Sequence, residues 1–243
     1  DINRALTLFG ECLDTVRQQP EFFKLMPSIY CQIGCCYNEL PNSAASENYY
    51  KLAIQADPEY GPAYWMLGLQ NSTDRKYDSA ITNFEKAIEY NFYNAGLYFF
   101  LARSYFENAR NSVMSNGVDD TSYDVQIDFY FAYGNVKKAL KIEPENVLIN
   151  FLAADICFGR YEFDNAILFL NNTVKLCCDG SEIYNEIKGK AIEKLEMASS
   201  LTPLMKAVAY YKIGRSMHEE DEYEDAISYY EKAIENEYNR EEV

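Results

Sequence analysis

Histidine is almost absent from this chain. Among 243 residues there is one, His218, so a zinc site with three histidine ligands is excluded and a Cys-His or Ser-His-Asp arrangement has a single imidazole to draw on. The glycines are scattered and form no phosphate-binding loop. His218 is predicted near the end of a helix, where the helix dipole favours an imidazolium. We therefore predict that the chain is not an enzyme and has no catalytic residue, cofactor or metal.

Basic residues are also scarce. The chain has 22 Lys and Arg against 38 Asp and Glu, a formal net charge of −16. Nucleic acids and anionic membrane surfaces bind concentrated positive charge, so we predict neither as a partner. No apolar run approaches the roughly 20 residues that span a bilayer, and we predict no transmembrane segment. The predicted partners are proteins or peptides with neutral, apolar or basic surfaces.

The arrangement of the seven cysteines does not suggest a disulfide framework. Their number is odd, and two pairs are vicinal, Cys35-Cys36 and Cys177-Cys178. Small buried thiols are typical of a reducing compartment, which predicts a cytoplasmic location. The chain begins at Asp1 without an initiator Met, so we interpret it as processed or truncated, with an exported protein as the alternative.

Residues 64–88 contain the pattern that organises the sequence. Apolar and small side chains recur every three or four residues in two short segments, which predicts two helices separated by a polar turn. Small residues alternate with large ones, so the two helices can approach closely. The positions are Tyr64, Leu67 and Gly68 in the first helix, and Ala80, Phe84 and Ala87 in the second. A hairpin of this size cannot bury its own apolar stripe and needs copies on both sides.

The copies recur at a spacing of about 34 residues. They place Tyr30, Ile33 and Gly34 before the central hairpin, Tyr98, Leu101 and Ala102 after it, and Tyr210, Ile213, Gly214, Ala226, Tyr230 and Ala233 near the end. This pattern resembles the tetratricopeptide repeat, a helix-turn-helix unit. The resemblance implies an all-α fold, a right-handed superhelical α-solenoid of antiparallel helix pairs with about twelve helices.

We predict a single solenoid over residues 1–243. Its predicted parts are an N-terminal half-repeat or cap (1–26), repeats at 27–60, 61–94, 95–146 and 147–180, an extra helix (181–206) and a last repeat (207–240). The half-repeat would leave one end of the stack open, and self-association through open ends is one alternative function.

The repeat at 95–146 carries about eighteen extra residues, near 111–124. Such an insertion forms either a functional loop or a lengthening of both helices. Asp119, Asp120 and Asp124 suggest a calcium loop, but the alternating ligands and closing Glu of such a loop are absent, so we do not predict one. Cys31 and Cys35, one turn apart, suggest a soft-metal site, but structural thiols are the preferred interpretation without a second ligand pair.

The resemblance also implies where a partner would bind. In this family the first helices line a concave groove, and the matching positions are Cys31, Cys35, Trp65, Leu69, Phe99, Arg103, Phe151, Asp155, Tyr211 and Arg215. An aromatic-lined groove suits an extended or helical peptide with apolar anchors. The alternative for Trp65 and Phe99 is packing against neighbouring helices. The alternative function is a carbohydrate-binding or uptake-associated scaffold that displays aromatic rings.

Overall fold

The computed structural model describes residues 2–40, 42–177 and 181–236. Across these residues the chain forms twelve α-helices, one 3-10 helix and no strand, which confirms the predicted all-α fold. The chain packs as two compact units, residues 1–104 (unit 1) and 105–243 (unit 2). The single solenoid and its predicted internal boundaries stay predictions, and their last residues, 178–180 and 237–240, lie outside the described ranges.

Unit 1 is built from short helices joined by tight turns. Its elements are α1 (Ile2–Gln18), a 3-10 helix (Pro20–Leu25), α2 (Met26–Glu39), α3 (Ser43–Ala56), α4 (Gly61–Thr73), α5 (Tyr77–Glu89) and the first part of α6 (Ala95–Asn116). The proline residues Pro27 and Pro62 stand in the first turns of α2 and α4, where a missing N–H costs nothing. Arg75 and Asn91 adopt positive φ values of 59° and 60° just after α4 and α5, which ends each helix.

The helices of unit 1 pair as α2 with α3 and α4 with α5. In each pair a glycine of the first helix faces an aromatic ring of the second. A Cβ on Gly34 would lie 2.5 Å from Cε1 of Tyr50, and one on Gly68 would lie 2.4 Å from Cε1 of Phe84. Tyr50 and Phe84 are almost completely buried, so the small residue is what permits the close approach.

Unit 2 contains longer helices as well as regular pairs. Its elements are the rest of α6, then α7 (Tyr123–Ile142), α8 (Val147–Gly159), α9 (Phe163–Leu176), α10 (Glu182–Ser199), α11 (Pro203–Glu219) and α12 (Tyr223–Glu235). Helix α11 begins four residues before the predicted boundary at 207. The reason is local, because Pro203 suits a first helical turn and the Oγ1 of Thr202 accepts a hydrogen bond from the Met205 amide at 3.2 Å.

The last helix pair of unit 2 contacts elements that are distant in sequence. Helix α11 touches α7. The hydroxyl of Tyr210 donates to the carbonyl of Tyr161 in the α8–α9 turn at 2.8 Å, and the hydroxyl of Tyr123 donates to Glu222 at 3.2 Å. The α11–α12 pair is therefore fixed to α7 and to the α8–α9 turn.

The inserted segment lengthens both helices of its pair. Helix α6 continues to Asn116, well into the predicted insertion at 111–124, and α7 begins at Tyr123. Only residues 117–122 therefore remain for the functional-loop alternative. The acidic residues serve local structure. Asp119 accepts hydrogen bonds from the backbone N and the Oγ1 of Thr121, at 2.9 and 2.7 Å, and Asp120 accepts one from the Tyr161 hydroxyl at 2.7 Å.

Candidate functional site

Trp65 on α4 is partly buried among aromatic rings of unit 1. Its ring centroid lies 5.3 Å from that of Phe84, 6.3 Å from Phe92 and 5.7 Å from Phe100. These contacts join α4 to α5 and to α6, so Trp65 has a packing role, as the alternative interpretation expects. Part of the indole remains accessible, and its role in binding a partner stays a prediction.

Phe99 and Arg103 lie one turn apart on α6 and form what we call the α6 face. Phe99 is partly buried, with its ring 5.2 Å from Phe100 in an edge-on contact. Arg103 is exposed, and no ion pair to it occurs within the described ranges of the chain. Leu69, on α4, is also partly accessible. The α6 face therefore offers an apolar ring beside a cation that can donate hydrogen bonds to a partner's carboxylate.

Cys31 and Cys35 lie at different depths on α2. Cys31 is 5% exposed and packs in the unit 1 core, so it offers almost no surface to a partner. Cys35 is only partly buried, and its Sγ accepts a hydrogen bond from the hydroxyl of Tyr50 at 3.8 Å. The two thiols thus have different surroundings although they share one helix face.

Phe151 and Asp155 on α8 are covered by α10. Lys194 of α10 places its Nζ 2.6 Å from Oδ1 of Asp155 and 5.6 Å from the ring centroid of Phe151. Burial raises the pKa of Asp155, and the Lys194 charge opposes that rise. Phe151 also packs against the buried cluster of Val147, Cys177 and Ile187, of which Ile187 belongs to α10. These two predicted positions therefore hold an extra helix in place.

Tyr211 and Arg215 on α11 repeat the spacing of the α6 face. The Tyr211 ring lies 5.9 Å from that of Tyr230 and is partly buried. Arg215 is exposed, but its Nε donates to Glu219 at 2.9 Å. The guanidinium of Arg215 thus already has an acidic partner one turn further along its own helix, unlike that of Arg103.

The insertion builds a cavity in unit 2 that the sequence did not predict. Its volume is about 320 Å³, and Arg110, Met114, Phe129 and Tyr161 are among its lining residues. Gln126 lies beside it, 2% exposed, with its Nε2 donating to the carbonyls of Asp120 and Gly159, while its Oε1 has no hydrogen-bond partner among the described residues. The signal that could have located the cavity was the insertion itself.

An ion pair in the α8–α9 turn is shielded from solvent. Arg160 contacts Oε1 of Glu162 at 2.7 Å, and the Arg160 guanidinium lies over the Tyr133 ring, 4.8 Å from its centroid. Burial would raise the pKa of Glu162, but the charge of Arg160 and hydrogen bonds from Asn165 and Arg160 hold it below its ordinary value. Arg160 and Glu162 neutralise each other, and they lie close to the α11–α12 helix pair. We therefore assign this ion pair a structural role.

Potential metal-ligating side chains do not cluster elsewhere in the described parts of the chain. Over residues 2–40, 42–177 and 181–236, no group of three or more His, Cys, Asp or Glu side chains is placed to hold a metal. His218 is exposed in the last turn of α11, with its ring edge-on to Tyr223. None of the helices that the structure describes is long and apolar enough to cross a bilayer.

Comparison with known proteins identifies repeats in both units. Residues 27–60, 61–94 and 207–239 match the family model for the tetratricopeptide repeat. Anaphase-promoting complex subunit 3 of Schizosaccharomyces pombe is 24% identical over 150 residues, which cover 62% of this chain and 20% of that protein. The chain thus spans about a fifth of the length of this relative.

Solved structures of repeat proteins share the fold. A tetratricopeptide repeat protein from Parabacteroides merdae is 14% identical, with a TM-score of 0.58 over 99% of this chain and 89% of its own. YrrB, described as having an unusual peptide-binding site, is 14% identical, with a TM-score of 0.55 over 96% and 93%. A chain of the APC/C hetero-tetramer Cut9-Hcn1 is 17% identical, with a TM-score of 0.55 over 99% of this chain and 44% of that one. At these identities the likeness concerns the fold alone.

Proposed function

This chain is a tetratricopeptide-repeat protein, and we propose that it acts as a non-catalytic scaffold that binds a peptide or helix of a partner protein on the first helices of its repeats. Interaction between proteins is the general role of this fold. Two of the similar proteins support the proposal in their own descriptions, YrrB by its peptide-binding site and the anaphase-promoting complex subunit by its membership of an assembly.

The exposed Arg103 is the observation that carries the proposal. The chain has an excess of acidic residues, yet this cation stands on the α6 face without an ion pair among the residues that the structure covers. Phe99, one turn away on the same face, supplies an apolar contact. The combination suits a peptide that has an apolar anchor next to a carboxylate, since a charge-assisted hydrogen bond is stronger than a neutral one.

The test begins with peptides selected from a random phage-displayed library on the immobilised chain. Selected sequences should contain an apolar residue close to an acidic one. Binding of a fluorescein-labelled selected peptide, followed by anisotropy, should weaken by about tenfold or more in Arg103→Ala, because a hydrogen bond to a charged group contributes roughly 1.5–3 kcal/mol. Phe99→Ala should weaken binding as well.

The control variant is Lys51→Ala. Lys51 is an exposed cation of unit 1 on the second helix α3, paired with Glu47 at 2.6 Å, so its loss changes the net charge equally but leaves the α6 face intact. Equal weakening by Lys51→Ala and Arg103→Ala would mean that only the overall charge matters. Unchanged affinity in Arg103→Ala would place the binding surface elsewhere.

Self-association is a second candidate function, favoured by the outer surface of α12. Ile227 and Ile234 on this helix are 57% and 52% exposed, and Tyr223 lies one turn before Ile227. An apolar stripe of this kind can bind the same stripe of a second copy. Sedimentation velocity over a range of concentrations tests it, because Ile227→Glu should shift any dimer to monomer.

The carbohydrate-binding alternative lacks such support. It would be favoured by exposed coplanar rings, but the exposed neighbours Tyr130 and Phe131 on α7 meet at 75°, and the near-parallel rings of Tyr37 and Tyr49 are partly buried. We therefore keep protein binding as the proposed function.

A further inference from the structure

An open cavity of about 290 Å³ lies between α1 and α2, and we call it the thiol cavity. Helix α1 contributes Ile2 and Ala5, and helix α2 contributes Cys35, Cys36 and two polar residues, Gln32 and Glu39. Two sulfur atoms thus line one apolar recess that is reachable from solvent. Cys35 is one of the predicted groove positions, but the proposed peptide contact at Phe99 and Arg103 on the α6 face does not use this recess.

Neighbouring groups held by the core stabilise a thiolate at Cys35. The hydroxyl of Tyr50 on α3 donates to its Sγ at 3.8 Å, and the Cys31 thiol lies one turn earlier on α2. Cys31 and Tyr50 are both buried, so the core holds them in place. A thiolate beside a fixed donor is a better nucleophile at neutral pH than an isolated buried thiol.

The pKa directions agree with this geometry. The hydrogen bond with Cys31 lowers the pKa of Cys35 most, burial raises it, and the Tyr50 hydroxyl lowers it again, for a value of about 6. The same hydrogen bond and burial raise the pKa of Cys31. Burial, then the nearby Cys35 and Glu39, raise the pKa of Cys36. Cys35 is therefore the most acidic of the three thiols.

The charged and titratable groups around Cys35 come from α2, α3 and the α3–α4 turn. Glu39 on α2 opposes the thiolate. Tyr50 on α3 and Tyr60 in the turn both have a raised pKa, chiefly through burial, with Cys35 adding to the rise. The residues that α1 contributes to the thiol cavity are apolar. Cys31 and Tyr50 are thus the groups whose removal should affect the thiolate most.

We propose that Cys35 is a modification site, at which small disulfides react selectively in the thiol cavity. The Cys35 thiolate attacks one sulfur of a low-molecular-weight disulfide, the S–S bond of that reagent breaks, and its second half leaves as a thiolate. The product is a mixed disulfide on Cys35, with the reagent as the oxidant. The added group occupies the thiol cavity beside Ile2 and Ala5. This site does not depend on the proposed peptide binding.

The test uses the neutral reagent 4,4′-dithiodipyridine on the whole chain, with each modified cysteine identified by peptide mass spectrometry. Cys35 should be modified first, ahead of the exposed Cys12 and of Cys36. The informative quantity is the Cys35 rate divided by that of a reference thiol whose pKa is about 8.5. Steric hindrance at Cys35 is the same at every pH, so it does not affect how this ratio changes with pH. With a pKa of about 6 at Cys35, the change in thiolate fractions makes the ratio fall by about a hundredfold from about pH 6 to about pH 9.

Variants test whether the groups around Cys35 make it reactive. Tyr50→Phe removes the hydroxyl donor and keeps the ring, and Cys31→Ala removes the neighbouring thiol. Each should slow Cys35 modification at about pH 6 by roughly threefold or more, with unchanged helicity by circular dichroism. Cys12→Ser removes an exposed thiol of α1 that does not line the thiol cavity, and it should leave the Cys35 rate unchanged.

Two results would overturn the proposal. One is first modification at Cys12 or Cys36. The other is a Cys35 rate that follows the reference thiol at every pH and is the same in the parent and in whichever of the Tyr50 and Cys31 variants is folded.

Discussion

The close approach of α4 and α5 gives a quantitative prediction for Gly68→Ala. In an open helix interior, alanine is more favourable than glycine by about 0.8–1.0 kcal/mol. At Gly68 the new methyl group would lie 2.4 Å from Cε1 of Phe84. Phe84 is completely buried, so its ring cannot move away without displacing its core neighbours. Overpacking of this kind costs about 1–3 kcal/mol. We expect a net loss of about 0–2 kcal/mol.

Gly10→Ala is the matched control within unit 1. Gly10 lies in the middle of α1, and an added Cβ would have no atom within 4 Å. This substitution should therefore stabilise unit 1 by up to about 1 kcal/mol. The difference between the two variants isolates the overpacking cost, which we expect to be about 1–3 kcal/mol.

Urea unfolding followed by tryptophan emission is the appropriate assay. Trp65 is the only tryptophan of the chain and lies in unit 1, so its emission reports on the unit that carries both substitutions. Adding Phe84→Leu to Gly68→Ala should recover part of the loss, because the shorter side chain makes room for the methyl group. Equal effects of Gly68→Ala and Gly10→Ala would refute the close-packing argument.

Three further predictions concern unit 2. Tyr210→Phe removes the hydrogen bond to the Tyr161 carbonyl and should lower the free energy of unfolding of unit 2 by about 1 kcal/mol, measured by urea unfolding followed by circular dichroism. No change would mean that this hydrogen bond does not stabilise the contact between α11 and the α8–α9 turn. The pKa of Glu162 is lowered in the folded chain, so its pairing with Arg160 stabilises above the ordinary carboxyl pKa of about 4.3 and is lost as the pH falls below it. The difference in urea midpoint between the parent and Glu162→Gln should therefore be larger at neutral pH than at about pH 3.5, and a difference that grows on acidification would contradict this sign. Ile227→Glu should abolish any concentration-dependent association seen by sedimentation, while persistence of the dimer would exclude the α12 surface.

The repeated helix pairs were readable from the sequence because their contacts are local. Gly68 and Phe84 meet within one hairpin, so a spacing of small and large residues predicts their contact. A lengthening of both helices was one of the two predicted forms of the insertion, but the sequence did not decide between them, because Asn and Ser in this segment of α6 favour turns in isolation. In the folded chain, Val113 and Met114 line the cavity of about 320 Å³ in unit 2, so this helical segment takes part in tertiary structure.

The contacts of the last repeat and the depth of the site residues could not be predicted. The hydrogen bond from Tyr123 to Glu222 joins residues 99 positions apart, a distance over which no periodicity operates. Asp155 occupies the same position within its predicted repeat as Arg103 does, yet it is covered by α10 through Lys194. The sequence identified the positions of the first helices, while exposure at each position depended on which neighbouring helix covers it.

The emission of Trp65 during titration with a selected peptide tests the central claim most directly. Trp65 packs on Phe100, beside the α6 face in unit 1, so a peptide that binds at Phe99 and Arg103 should change its emission. We predict a saturable change whose midpoint agrees with that of the anisotropy titration and shifts by about tenfold or more in Arg103→Ala. Saturable binding by anisotropy with unchanged Trp65 emission would contradict a binding site on the first helices of unit 1.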